Sequence, residues 1–397
     1  MEFHNQVPRT LIFSQRNLSR LMPFRCPHFE FEDVIAEIDA AEFVSPCFAF
    51  GTLRHRISKQ IAYHTPVVLN PGVEGKPIQK TYDLFFAVFG NPTDLQLVHA
   101  LGDWRSKCRK AVCLIDELWV RQLRGYRRFL SMLKQFDLVV LYYSRTVESL
   151  ASQIGVPCIF LPPGVDAIRF CPYPNPPKRV VDVYSIGRRS EITHRALLEA
   201  VRRDNLFYLY DSLAANQVLN PTEHRLLFAN VVKRSRYFIA NPGLIDQPEI
   251  RGDQIEIGNR YFEGAASGAL LIGVRPSNGQ FSKYFDWPDI MIDLPWDSAE
   301  IAHVIREFDT DPSRQASIRR RNIEHCLLRH DWLYRWEAIL DAVGMEELPQ
   351  AQTRKDRLLR LAALAADTSQ PSLTTPSTHR SGAATLRATA NARTMIG

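Results

Sequence analysis

The sequence predicts an α/β chain made of two parallel-sheet domains in tandem. Apolar runs of 5–8 residues alternate with segments of helical spacing, which is the pattern of strands buried on both faces and joined by crossover helices. The alternation breaks at a proline cluster, CPYPNPPKR at 171–179, and then restarts. A length of 397 residues suits two domains of about 100–200 residues each.

In chain order, RTLIFS from Arg9 reads as an opening strand and FEDVIAEI from Phe31 as a helix, whereas SPCFAFG and TPVVLNPG are short and interrupted. From Tyr82 the pattern sharpens. YDLFFAVFG is a strand, DLQLVHALGDW is helix-like and KAVCLIDE is a second strand. A long helical stretch follows to about Lys134, then the strand FDLVVLYYS, a helix from Thr146 to Ile154 and the strand PCIFLPPGVD. After the prolines come VVDVYSIG, LFYLYD, RYFIANPG, ALLIGV and DIMIDLP as strands. THRALLEAVRRD, TEHRLLFANVVKRS and NRYFEGAASG are the intervening helices. From Asp297 the chain is mostly helical, closing with WLYRWEAILDAVG, where Gly344 is placed to act as a C-cap. The domains expected are therefore 1–168 and 169–349, both Rossmann-like.

Residues 350–366 have the spacing of a basic amphipathic helix, but 351–397 hold no aromatic residue and turn Ser/Thr/Ala/Pro-rich after Asp367. The expectation is a basic, disordered tail over 350–397, dispensable for stability if the chain ends near Glu347.

The formal charge of +6 comes mainly from that tail. Seven of the 49 basic and two of the 43 acidic residues lie in 351–397, which leaves 42 against 41 in the rest. A near-neutral body argues against nucleic-acid binding, and the tail offers weak peripheral contact with anionic membranes. No run approaches the ~20 apolar residues of a membrane span, and the N-terminus lacks a signal-peptide pattern, so a cytoplasmic protein is expected. Seven scattered cysteines with no C-x-x-C pair suggest neither zinc nor a disulfide framework.

Two segments of the C-terminal half could carry chemistry. Gly187, Arg188 and Arg189 follow the strand VVDVYSIG, where a glycine permits close approach and arginines give bidentate phosphate contact; a solvated turn is the alternative. In NRYFEGAASG, Asn259, Arg260, Glu263, Gly264, Ser267 and Gly268 share a helix start beside a buried strand. Such small residues suit either close ligand approach or tight helix–strand packing. In the N-terminal half, Asp116 and Glu117 end the strand AVCLI at the edge where ligands bind, as a general base or as acceptor ligands, with helix capping by Asp116 as the alternative. His55, His64 and His99 have no flanking pattern that marks them out.

Taken together these segments resemble the group 1, family 4-like glycosyltransferases of the GT-B fold, in which two Rossmann-like domains face each other. The resemblance rests on LPPGVDAIRFCP (161–172) against P-x-G-V-D…F-x-P, on Gly187-Arg188 after the first strand of the second domain, on EGAASG (263–268) against E-A-x-A-x-G, and on RHDWLYRWEAIL near the end. It implies transfer of a sugar from a nucleoside-diphosphate sugar, with retention and no metal cofactor, to a carbohydrate, lipid-linked or protein acceptor that the sequence does not identify. It further implies Glu263 at the ribose hydroxyls and Arg188 at the diphosphate; Arg260, three residues before Glu263 on the same helix face, is read as a second phosphate ligand or an ion-pair partner. The sequence departs from the family at three points. The usual first Glu, eight positions before Glu263, is Ile255, with Glu256 beside it. The Lys after Gly-Arg is missing, with Arg189 or Lys233 as substitutes, and FSQRNLSRL lacks the usual glycine pair. A nucleotide-sugar epimerase or hydrolase, or an inactive nucleotide-binding partner protein, are the alternative readings.

Overall fold

The computed structural model describes residues 7–18, 22–48, 57–58, 60–61, 72–211 and 218–367. His55, His64, most of TPVVLNPG and the chain beyond Asp367 lie outside the described residues. Two all-parallel sheets are present. The first has the order β2-β1-β3-β4-β5-β6, with β1 Thr10–Phe13, β2 Ala41–Val44, β3 Tyr82–Phe89, β4 Cys108–Ile115, β5 Leu138–Leu141 and β6 Cys158–Phe160. The second has the order β11-β10-β9-β7-β8, with β7 Val181–Ser185, β8 Tyr208–Tyr210, β9 Ser235–Ile239, β10 Leu270–Gly273 and β11 Met291–Asp293. The expectation of two Rossmann-like sheets flanked by helices holds.

Alternation along β3 shows why its apolar run is continuous. Leu84, Phe86 and Val88 enter one core cluster while Phe85, Ala87 and Phe89 enter the other, so both faces of the strand are buried. Strand order reverses between β1 and β3 and again between β7 and β9. Such reversal points open a crevice at the carboxyl ends of the strands, and the second contributes Asn241 and Gly243, after β9, to the site described below.

The helix α1, Cys26–Ile38, is buried almost all round. One side covers the first sheet, where Phe31 meets Phe86 edge-on at 5.6 Å. The other meets the end of the chain: Phe31 stacks on Trp332 at 4.7 Å, and the Trp336 indole donates to Asp39 at 2.9 Å. The last helices therefore fold back from the second sheet onto the first domain, and one hydrophobic cluster runs through both.

Three expectations are corrected. The stretch before Lys134 is not one long helix but short turns at Val120–Gln122, Arg127–Leu130 and Ser131–Gln135, with Gly125 in its middle, where a helix would lose about 1 kcal/mol. DLQLVHALGDW forms a 3₁₀ helix only as far as Leu101, in an element Pro92–Leu101 capped by Asn91. Most consequentially, the region assigned to a disordered tail begins with an 18-residue helix, Pro349–Ala366. Leu358, Ala362 and Ala365 are buried, and Arg354, also buried, pairs with Asp331, Asp166 and Glu37 at 2.7–2.8 Å. Lacking aromatic residues, this helix packs through small side chains instead.

Candidate functional site

A cavity of about 220 Å³ opens where the carboxyl ends of the two sheets face each other. That is below the roughly 300–1,000 Å³ of drug-sized ligand sites, so it matches part of a large ligand. From the first domain come Asp116 and Glu117 at the end of β4, with Trp119, Tyr142 and Tyr143. From the second come Asn241 and Gly243 after β9 and the segment Glu256–Arg260.

The two carboxylates differ. Asp116 is paired with His28 of α1, Nε2 to Oδ2 at 2.8 Å. Glu117 accepts from the Trp119 indole at 3.0 Å. Burial pushes the Glu117 carboxyl above its ordinary range, the indole bond and Arg188 oppose the shift, and Asp116 adds to it. Arg188 of the second domain is thus within electrostatic reach of Glu117 in the first.

Opposite them begins the nine-residue helix Asn259–Ser267, whose first-turn N–H groups and partial positive charge favour an anion. Arg260, about a quarter exposed, lines the cavity from its first turn. Two cavity-lining residues hold buried polar atoms without a hydrogen-bond partner, Asn259 Oδ1 and the Tyr142 hydroxyl. Buried polar groups are ordinarily satisfied, so these are positions that a ligand can complete.

The Gly187–Arg189 turn adjoins this cavity through Asn241, which lines both it and a small crevice holding Arg188, Arg189 and His194. Gly187 has φ +88°, which only glycine adopts readily, and its N–H donates to the Asp211 carboxylate at 3.2 Å. Arg189 pairs with the same carboxylate and lies over the Tyr210 ring. Arg188, 44% exposed, pairs with Asp246 at 3.1 Å, a surface contact that a phosphate can displace.

The structure thus brings together Asp116, Glu117, Asn259, Arg260 and, alongside, Gly187, Arg188 and Arg189. It separates the others. Glu263 lies outside the cavity wall and is completely buried. Its Oε1 accepts from Arg225 at 2.5 Å and its Oε2 from Arg260 at 2.6 Å, so both oxygens that the resemblance directs at the ribose are held by arginines. Gly264, Ser267 and Gly268 are packing residues. A Cβ on Gly264 would come within 2.3 Å of Leu271, Ser267 Oγ donates back to the Gly264 carbonyl, and Gly268 closes the helix at φ +68°. Glu256 does face the cavity, yet it accepts from Ser144 Oγ, the Arg145 N–H, Gln254 and Asn278, so its carboxylate is saturated. Lys233 donates to the Arg169 carbonyl and does not line the cavity.

His28, Tyr142 and Asn241 were not singled out from the sequence. Asn241 had a signal, since ANPG ends β9 at the reversal point. Within PPGVD, Pro163 lines the cavity, a Cβ on Gly164 would meet the Trp332 ring at 2.6 Å, and the Asp166 side chain caps the next turn. Among the described residues no group of three or more metal-ligating side chains converges, and no helix is long and apolar enough to cross a membrane.

Two sheets meeting at their carboxyl edges over a shared cleft define the GT-B architecture. The N-terminal domain of Candida albicans trehalose-6-phosphate phosphatase has the same fold, with TM-score 0.52 and 11% identity over 87% of this chain and 98% of that one. So does an α,α-trehalose-phosphate synthase (UDP-forming) from Burkholderia vietnamiensis, with TM-score 0.51 and 9% identity over 86% and 100%. No curated protein matches the chain by sequence. Residues 194–341 match the family model described as glycosyl transferase-like, a span that includes Glu256–Gly268 and leaves out Asp116, Glu117 and the Gly187–Arg189 turn. Over that span the chain is similar to glycosyl transferase-like proteins, and its fold as a whole is of the GT-B type.

Proposed function

We propose that the cleft binds a nucleoside-diphosphate sugar and transfers its sugar, with retention of configuration, to an acceptor held by the N-terminal domain. One observation carries the reading: Arg260 and a helix N-terminus on one wall, with Arg188 in the adjoining crevice, face Asp116 and Glu117 on the other. Departure of a nucleoside diphosphate leaves negative charge on the bridging oxygen. Fixed cations and N–H dipoles stabilise that charge without reorganising, so transfer through this site is proposed to need no metal. The carboxylates, together with the unpartnered Asn259 Oδ1 and Tyr142 hydroxyl, suit sugar and acceptor hydroxyls. The related synthase is described as UDP-forming, which supports a uridine donor as the first to test. Seven free cysteines support a reducing, cytoplasmic setting.

The His28–Asp116 pair favours a second stereochemical reading. An imidazole backed by a carboxylate is the usual form of a general base, and a base that deprotonates the acceptor for direct displacement gives inversion. Incubating the protein with a panel of nucleotide-sugars and simple glycoside acceptors tests both readings. We expect acceptor-dependent release of a nucleoside diphosphate, and the anomeric proton coupling of the product distinguishes retention from inversion. Equally fast release without any acceptor marks a hydrolase and contradicts the proposal.

A further inference from the structure

The glutamate at the EGAASG motif is occupied by protein groups, and its contacts lead across the molecule. Arg260 reaches into the cleft from the second domain, and its Nη1 donates to Glu263 Oε2 at 2.6 Å. The other oxygen of Glu263 accepts from Arg225 Nη1 at 2.5 Å. Arg225 turns its two remaining nitrogens to Glu30 of α1 in the first domain, Nε to Oε2 at 2.8 Å and Nη2 to Oε1 at 3.0 Å. Glu30 is fixed in turn by the Trp332 indole at 3.0 Å and the Asp166 N–H at 2.9 Å. Glu30, Arg225 and Glu263 are all at most 1% exposed.

Four charges of alternating sign thus run from a helix of one domain to the ligand-facing wall of the other. Both Glu263 oxygens are held, so the Arg260 head has one anchoring position. A fixed guanidinium loses little conformational freedom on meeting a phosphate, whereas a loose one must be ordered at that moment. α1 also carries His28, two residues before Glu30, which holds Asp116 on the opposite wall. One helix therefore anchors a cavity residue on each side.

We infer that Glu263, backed by Arg225 and Glu30, is a positioning residue that holds Arg260 for the diphosphate of the donor and does not contact the ribose. This rests on the proposed donor reading. It separates from a ribose clamp because the two roles fail on different ligands.

The test is calorimetric titration of wild type, Glu263→Gln, Arg260→Gln and the double variant with UDP, uridine and 2′,3′-dideoxy-UDP. Glu263→Gln should bind UDP and dideoxy-UDP roughly tenfold more weakly, the scale of one charge-assisted contact, with uridine unchanged. In the Arg260→Gln background it should have no further effect on UDP, because its influence passes through that arginine. A loss for uridine and UDP that vanishes for dideoxy-UDP shows ribose contact and overturns the inference. So does an undiminished UDP affinity in a folded Glu263→Gln. Should that variant fail to fold, Arg225→Lys keeps the charge but not the fork that grips both glutamates, and the same diphosphate-specific loss is expected of it; unchanged UDP affinity there also overturns the inference. If wild type binds neither UDP nor any other nucleoside diphosphate, the donor reading itself falls, and the inference with it.

Discussion

Glu263 and Arg188 are both charged residues of the second domain, and burial gives them opposite behaviour. Burial alone would push the Glu263 carboxyl up, but Arg260 and Arg225 more than offset it and hold it below the ordinary range. A group whose folded value is depressed contributes stability that is present above its unfolded value of about 4.3 and is lost as pH falls through the folded value. Stability measured by urea unfolding should therefore fall more steeply between neutral pH and about pH 3 in wild type than in Glu263→Gln; identical slopes would contradict the ion network. Arg188, by contrast, is exposed and only surface-paired, so its removal should spare the fold. Arg188→Ala should cost a nucleoside diphosphate about 1.5–3 kcal/mol and a nucleoside almost nothing, by calorimetry. Equal losses for both would make the turn structural. Arg188 was legible in the sequence because a glycine and arginines at a strand end are read locally. The surroundings of Glu263 were not, because its partner Arg225 lies 38 residues away and Glu30 a further 195.

Elements were legible where their apolar period was uninterrupted. All the named strands from β3 onward fall within runs that the sequence marks or start at most two residues before them, whereas β2, Ala41–Val44, is half-buried and follows α1 too closely to stand out. The helix Pro349–Ala366 was misjudged because composition cannot show that alanines will pack against the helix Pro312–Arg329. Ending the chain after Glu347 should remove the buried Leu358 and Ala365, uncover the face of the helix Pro312–Arg329 that this helix covers, and leave buried Asp331 and Asp166 without Arg354. Breaking buried pairs of this kind costs about 3–5 kcal/mol, so chemical denaturation should show a large loss; an unchanged midpoint would mean that the helix contributes nothing. The run of small residues is a packing device for its helix. Gly264→Ala places a Cβ against Leu271 and Phe238, and should destabilise by about 1–3 kcal/mol while leaving nucleotide affinity nearly unchanged in the folded fraction.

At the scale of the whole molecule, the two domains are tied at both ends of the cleft. At one end Gln254 accepts from the Val120 N–H at 3.0 Å and Glu256 accepts from Ser144 and Arg145; at the other, Glu30 and Arg225 join α1 to the second domain. Between these ties the carboxyl edges of two sheets set carboxylates against arginines. The order of motifs in the sequence implied two facing domains, but which residues would meet across the cleft depends on docking that no local pattern encodes. A crystal structure of the protein with a bound nucleoside diphosphate tests the central claim most directly. The diphosphate oxygens are expected within hydrogen-bond distance of Arg188, Arg260 and the first N–H groups of the helix Asn259–Ser267. A diphosphate bound instead in the surface groove lined by Arg124, Arg127, Arg128 and Lys134, with the cleft empty, would contradict it.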